Sequence, residues 1–290
     1  MWQLRQDDED ALSTTLPIDD AISDRKKPWL LHSLPVNALN FCSFATCRVP
    51  ASKDNPSDSI LVAVPGLHDG HVNINSLPSE DRVATIIDPK SIKTGMVMAI
   101  ALHYLNDKLH VMAGYESGYV CAFTQDQATS QWQAIYTCKA HTQPVLSLDV
   151  AAASGYFYTS SADDVIARHP LGHSNTEAKI VHTKHAGQQA LTARPDGRIF
   201  ATAGWDSRVR VYSAKAMKEL AVLKWHKEGC YALAFAADAK VRSGEEDGVV
   251  GEEVATRQLT VAEQRVRKVK ETHWLAAGSK DGRVSLWDVY

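Results

Sequence analysis

At 290 residues, a net charge of −3 and a pI near 6.5, the chain has no bulk positive charge with which to hold nucleic acid or an anionic membrane. No apolar run reaches the ~18–20 residues of a spanning helix, and the opening MWQLRQDDEDAL is acidic where a signal peptide is basic and then apolar. Five cysteines (Cys42, Cys47, Cys121, Cys138, Cys230) are odd in number and form no CxxC pair, which argues for free thiols in a reducing, intracellular compartment over a disulfide framework or a zinc site.

In chain order, residues 5–27 (RQDDEDALSTTLPIDDAISDRKK) are acidic, polar and proline-containing, which predicts a surface connector. Behind it a unit recurs. LVAVPGLHDGHVNI, HVMAGYESGYVCAF, FYTSSADDVIARHP, FATAGWDSRVRVYS and WLAAGSKDGRVSLWDV each run from a short apolar strand through a tight polar turn into a second strand. Their acidic turn residues Asp69, Glu116, Asp163, Asp206 and Asp281 stand 47, 47, 43 and 75 residues apart. A period in the forties predicts an all-β propeller of four-stranded blades. In the clearest copies, 199–204 and 209–213 are the middle strands, 219–226 is the outer one, and 230–236 opens the next blade. The long last interval places a charged insertion at 237–271, acidic first (GEEDGVVGEEV) and basic later (LTVAEQRVRKVK), with a helix expected around Val261 to Lys270.

Three copies share a deeper spacing. His141, Thr159 and Asp163 recur as His185, Thr202 and Asp206, and as His226, Ala277 and Asp281, with His169, Tyr212 and Trp287 six residues past each aspartate. This pattern resembles the structural tetrad of WD40 repeats. There an indole N–H donates to a hydroxyl, the hydroxyl to an imidazole nitrogen, and the other imidazole nitrogen to a carboxylate. A hydrolase triad uses similar residues but occurs once, whereas this set recurs at the blade period. GSKDGRVSLWDV, with Trp287, is the fullest match to the WD signature, yet that copy has Ala277 where the hydroxyl belongs. His182 and His185 form an HxxH whose members face opposite sides of a strand, so they cannot converge on one metal. No catalytic, cofactor or metal residue is expected.

The segments AGWDSRVRVYSAKAMKELAVLKWHKEGCYALAFA, WLAAGSKDGRVSLWDVY and PWLLHSLPVNALNFCSFA are similar to the fungal ASTRA-associated WD-repeat family. The resemblance implies a nuclear, non-enzymatic scaffold subunit of the ASTRA assembly. Its implied partners are the other subunits: a kinase-related scaffold, its cochaperones and AAA+ ATPases, in support of chromatin remodelling and of phosphatidylinositol-kinase-related kinases. Alternative readings are a histone-tail or peptide reader and a G-protein-β-like adaptor. Trp2–Leu4 reads as the end of a third strand and Trp29–Ser33 as an outer strand, so five blades of a seven-bladed, N-terminally truncated propeller are expected. Residues 1–27 then form a remnant strand and connector, and 28–290 the blades. Tyr115, Trp205 and Lys280 flank the turn acids and are the expected partner contacts at the rim.

Overall fold

The computed structural model describes residues 2–3, 29–50, 59–126, 129–172, 177–236 and 260–289. The acidic connector and residues 237–259 of the insertion lie outside them. A two-stranded ribbon, β1 (Trp2–Gln3) with β2 (Trp29–Leu30), precedes five antiparallel sheets. Sheet I is β3 (Ala45–Arg48), β4 (Ile60–Pro65), β5 (Val72–Leu77) and β6 (Arg82–Ile86). Sheet II is β7 (Val97–Leu105), β8 (Lys108–Tyr115), β9 (Tyr119–Gln125) and β10 (Trp132–Lys139). Sheet III is β11 (Val145–Ala151), β12 (Tyr156–Ser161), β13 (Val165–Pro170) and β14 (Lys179–His182). Sheet IV is β15 (Gln188–Ala193), β16 (Ile199–Gly204), β17 (Arg208–Ser213) and β18 (Glu219–Lys224). Sheet V has three strands among the described residues, β19 (Cys230–Phe235), β20 (Trp274–Ser279) and β21 (Val284–Asp288), with helix α1 (Val261–Glu271) between the first two.

Each sheet is a meander, and the first strands β3, β7, β11, β15 and β19 neighbour one another in that order. This is the blade arrangement of a propeller. Stacking explains the strand chemistry. A second strand is covered on both faces by adjoining sheets, so β8 turns apolar from Val111 onward and Val111, Met112 and Ala113 are all fully buried. The outer strands β14 and β18 see solvent and are rich in Lys, His and Glu.

A bulge recurs at one position of the first strand, between Val97 and Ala99, Val145 and Ser147, Gln188 and Ala190, and Cys230 and Ala232. Such an extra residue bends the strand and re-aims its side chain. Here the re-aimed residues include Gln189 and Tyr231, next to the rim described below.

Large apolar groups fill the space between sheets. Phe200 of sheet IV lies between Tyr158 of sheet III (4.6 Å, 25°) and Tyr212 of its own sheet (5.1 Å, 11°), so three rings cross the junction in one stack. Polar ties reinforce the same junction: Ser147 Oγ accepts from the Leu191 amide at 3.0 Å, and Asp149 accepts from the Ala193 amide and the Thr192 hydroxyl at 2.8 and 3.1 Å. Truncating Phe200 to Ala opens a cavity in the stack and is expected to cost about 3–5 kcal/mol. Leu220→Ala on the exposed face of β18 changes stability by less than ~0.5 kcal/mol. Urea titrations of both variants check the contrast.

Candidate functional site

At one end of every sheet, the turn between second and third strands meets the loop that enters the first strand. Polar groups buried there have no water to satisfy them, so they must satisfy one another. Sheet III does this with five side chains. Tyr136, arriving from β10, lies 3.0 Å from His169 Nδ1, and His169 Nε2 lies 2.9 Å from Thr159 Oγ1. Thr159 Oγ1 is 2.8 Å from His141 Nε2, and His141 Nδ1 is 3.3 Å from Asp163.

A hydroxyl has one proton, and a neutral imidazole donates from one nitrogen only. One direction of donation satisfies every member: Tyr136 O–H to His169 Nδ1, His169 Nε2–H to Thr159, Thr159 O–H to His141 Nε2, and His141 Nδ1–H to Asp163. His169 thus does what an indole does in the tetrad, and by accepting from Tyr136 it also lengthens the chain by one link.

The carboxylate has a second role. Asp163 Oδ1 accepts from the Val165 amide at 2.9 Å, which closes the turn, and Oδ2 accepts from the Thr142 amide at 2.8 Å, which docks the incoming loop. Burial pushes its pKa up, but the bonds from His141, Thr142 and Val165 outweigh that and hold it at about 2. Burial, with His141 beside it, drives His169 down to about 3.

Sheet V builds the same chain with its hydroxyl on another strand. Trp287 Nε1 donates to Ser285 Oγ at 2.8 Å, Ser285 is 2.9 Å from His226 Nε2, and His226 Nδ1 is 3.2 Å from Asp281. Ser285 on β21 faces Ala277 on β20, just as Ala167 on β13 faces Thr159 on β12. Hydroxyl and alanine have exchanged sides of one cross-strand pair. The oxygen therefore reaches the same place, and the apparent gap at Ala277 is filled.

Sheet IV departs from the expected set. Thr202 donates to Gln188 Oε1 at 2.6 Å, and Gln188 Nε2 donates to the His185 carbonyl at 2.9 Å. The His185 side chain is half exposed, and its nearest approach to Asp206 is 3.9 Å. His185 is therefore not the partner of Thr202; the carboxamide supplies an acceptor and a donor from inside the strand, which leaves the imidazole outside. Asp206 is instead gripped by Arg210, whose two terminal guanidinium nitrogens donate at 3.1 and 2.5 Å, and it still closes its turn through the Arg208 amide at 3.3 Å. Burial opposes ionisation of Asp206, but the Arg210 fork prevails and lowers its pKa. Tyr212 stands in the indole position and contributes its stack on Phe200.

The first two sheets use smaller devices. Asn37 Nδ2 donates to Asp69 at 3.1 Å in sheet I, and Glu116 accepts from the Met96 amide at 3.2 Å in sheet II. Gly118 closes the sheet II turn at φ +82°, where a Cβ would fall 2.2 Å from the His141 carbonyl.

The three rim candidates separate. Trp205 is 46% exposed; its Nε1 donates to Gln189, the bulge residue of β15, at 2.8 Å, and its ring covers Gly187, where a Cβ would lie 2.2 Å from Cε3. Lys280 is exposed at the equivalent turn position of sheet V. Tyr115 is not a surface contact, since it is fully buried among Val97, Val111 and Cys121. Strand pairing shows why: Gly114↔Val120 matches Ala203↔Val209, so the residue aligned with Trp205 is Glu116, and Tyr115 points to the opposite face. Two aromatics absent from the expected contacts join Trp205: Trp225 at 49% exposure and Tyr231, the bulge residue of β19, at 46%. Arg283 lies over the Trp225 ring, 5.8 Å from its centre.

Residues 132–167, 178–213 and 264–288 match the family model for the WD domain, G-beta repeat. The chain is 44% identical to ASTRA-associated protein 1 of Aspergillus niger, across its whole length and 79% of the relative's. It is 46% identical to ASTRA-associated protein 1 of Verticillium alfalfae, again across its whole length and 74% of the relative's. The chain belongs to the ASTRA-associated protein 1 family. It is also 33% identical to the mouse guanine nucleotide-binding protein subunit beta-like protein 1, with 79% of this chain and 60% of that one covered. As a WD40 member of this family it is a protein-interaction scaffold. No helix of the described residues is long and apolar enough to cross a membrane.

The cross-strand exchange gives a direct test. Ser285→Ala leaves His226 and Trp287 without their common partner and is expected to lower stability by roughly 1–3 kcal/mol. Adding Ala277→Ser returns an oxygen from the facing strand and recovers most of the loss in a denaturation titration; no recovery contradicts the equivalence of the two positions.

The pH dependence follows from two depressed pKa values. Asp163 stabilises the fold above its unfolded value of 3.8, and that contribution is lost as pH falls toward 2. The unfolded chain takes up the His169 proton near 6.5, whereas the fold resists until about 3, so stability falls with pH across that window. Melting temperatures of wild type and His169→Gln should diverge least at low pH, because the variant lacks this proton uptake.

Proposed function

We propose that the chain is a non-enzymatic scaffold subunit of a nuclear ASTRA assembly. In this role it holds a kinase-related scaffold, cochaperones and AAA+ ATPases together, in support of chromatin remodelling and of phosphatidylinositol-kinase-related kinases. The family supports the assembly, since its relatives carry the ASTRA-associated name across the whole of this chain. The rim supports the mode of action. Trp205 and Trp225 on loops, and Tyr231 at the bulge of β19, stand half exposed beside buried hydrogen-bond chains, which is how a rigid scaffold presents aromatic anchors. With a net charge of −3, any chromatin association runs through protein partners.

A peptide reader using Tyr115, Glu116 and Trp205 as an aromatic and acidic ring is less well supported, because Tyr115 is buried.

The half-exposed Trp205 carries the reading. Trp205→Ala removes one exposed hydrogen bond and a cover over Gly187, so melting is expected to move little, while capture of at least one ASTRA subunit weakens by ~2 kcal/mol or more. Melting and quantitative co-purification on the same variant decide between anchor and cover. A destabilised variant whose folded fraction still captures every subunit would falsify the anchor.

A further inference from the structure

Sheets III and IV also meet at the end away from the Trp205 rim, and there cations make the contact. Arg168 of β13 and Lys179 of β14 are a cross-strand pair, on the face that Tyr158 turns toward sheet IV. Arg168 Nη1 donates to the Ala214 and Lys215 carbonyls at 3.2 Å each, and Lys179 Nζ donates to the Ala216 carbonyl at 3.1 Å. Successive carbonyls of the β17–β18 turn are thus capped from the neighbouring sheet. The turn is also fixed from inside, since Met217 is buried at φ +60° and the Ala214 amide donates to the Arg198 carbonyl at 2.9 Å. Lys215 and Lys218 stand exposed on this turn, with Arg198 exposed beside it.

A carbonyl cap satisfies a cation's donors without neutralising its charge. Among the described residues, no carboxylate lies within 4.0 Å of Arg168, Lys179, Lys215 or Lys218. Of the acids at this end, Asp196 is clamped by Arg194 at 2.7 Å and Glu219 faces Arg210 at 3.5 Å, which leaves Glu177. Arg168 is held further by the Tyr156 ring, whose centre lies 4.2 Å from the guanidinium carbon. Its Nη1 is taken by two carbonyls, while Nε and Nη2 have no partner among the described residues. That edge is a fork that a carboxylate can accept from with both oxygens. On a chain of net charge −3, positive charge is concentrated at this one corner. Sheets II and V flank the pair within the chain, so the corner is independent of both ends of the stack.

We infer that this corner docks an acidic segment of a partner protein, an extended stretch rich in Asp and Glu. Arg168 takes one carboxylate through Nε and Nη2, and Lys179, Lys215, Lys218 and Arg198 meet the charges on either side. Cations spread over two strands and two turns suit several separate carboxylates better than a single phosphate. The ring on which a nucleic-acid base would stack, Tyr156, already carries Arg168. The surface lies at the opposite end of the sheets from Trp205, so either can fail without the other.

Fluorescence anisotropy of the whole chain with a fluorescein-labelled Glu/Gly peptide tests this. Saturable binding is expected, weakening as salt is raised. Lys215→Glu/Lys218→Glu should weaken it about tenfold with unchanged melting, while Lys224→Glu/Lys227→Glu, the same change in net charge near the rim, shifts it by less than about twofold. Arg168→Lys keeps the charge but loses the fork and should weaken binding about fivefold. Because Arg168 also ties the two sheets, the Lys215/Lys218 variant carries the test should Arg168→Lys melt early. Amide replacement of Glu245, Glu246, Asp247, Glu252 and Glu253 should leave affinity unchanged; a gain of about tenfold would assign the corner to the chain's own insertion and overturn the partner contact. Absence of peptide binding, equal loss from the two lysine pairs, or tighter binding of a phosphopeptide or duplex DNA of equal charge overturns it as well.

Discussion

A hydroxyl enclosed between two strands can give one proton and must receive another, and that requirement organises the turn end of this protein. In sheet III it is met by a chain from Tyr136 through His169, Thr159 and His141 to Asp163, and in sheet V by Trp287, Ser285, His226 and Asp281. Each chain ends on an aspartate that also closes its own turn through an amide two residues on and accepts an amide of the incoming loop. A carboxylate with this many donors stays ionised in spite of burial, so the link between two loops is charge-assisted as well as geometric. Sheet IV ties the same two segments with other groups: Gln188 answers Thr202, and Arg210 answers Asp206, while the buried Tyr212 hydroxyl has no hydrogen-bond partner. What recurs is a polar tie between turn and incoming loop at one place. The residue types that achieve it are interchangeable within limits.

This explains what could be read from the sequence and what could not. The strand–turn–strand period, the turn acids and the propeller class follow from local patterns, which strands and tight turns determine within a few residues. The helix over Val261–Glu271 was legible for the same reason. Ser285 was not, because its equivalence to Thr159 exists only across a strand pair, eight residues past the linear position at Ala277. His185 fits the spacing, but Gln188, three residues later at the start of β15, reaches the hydroxyl first; a carboxamide at the first position of that strand was the available signal. Tyr115 failed by a single residue. Counting back from Glu116 instead of Ser117 reverses every side chain in the turn, and strand pairing alone reveals which residue occupies the aspartate position.

The division of labour within the rim follows from the same physics. Polar groups that need partners are turned inward and lock the loops, while the bulges of β15 and β19 turn Gln189 and Tyr231 outward. Trp205 then rests on Gly187 with its N–H satisfied and part of its ring in solvent. An aromatic held this way loses little freedom on meeting a partner, which is the advantage a scaffold draws from a rigid fold. On the proposed reading, stability and recognition occupy adjacent but separate sets of side chains, so each can be altered while the other is measured.

The claim on which the rest depends is the single direction of donation through sheet III, and imidazole nitrogen chemical shifts report it directly. In a long-range nitrogen–proton correlation spectrum of the folded protein near neutral pH, His169 is predicted to be neutral with its proton on Nε2, and His141 to carry a proton on Nδ1. A His169 proton on Nδ1, or a doubly protonated His169 at that pH, would reverse the chain and contradict the account.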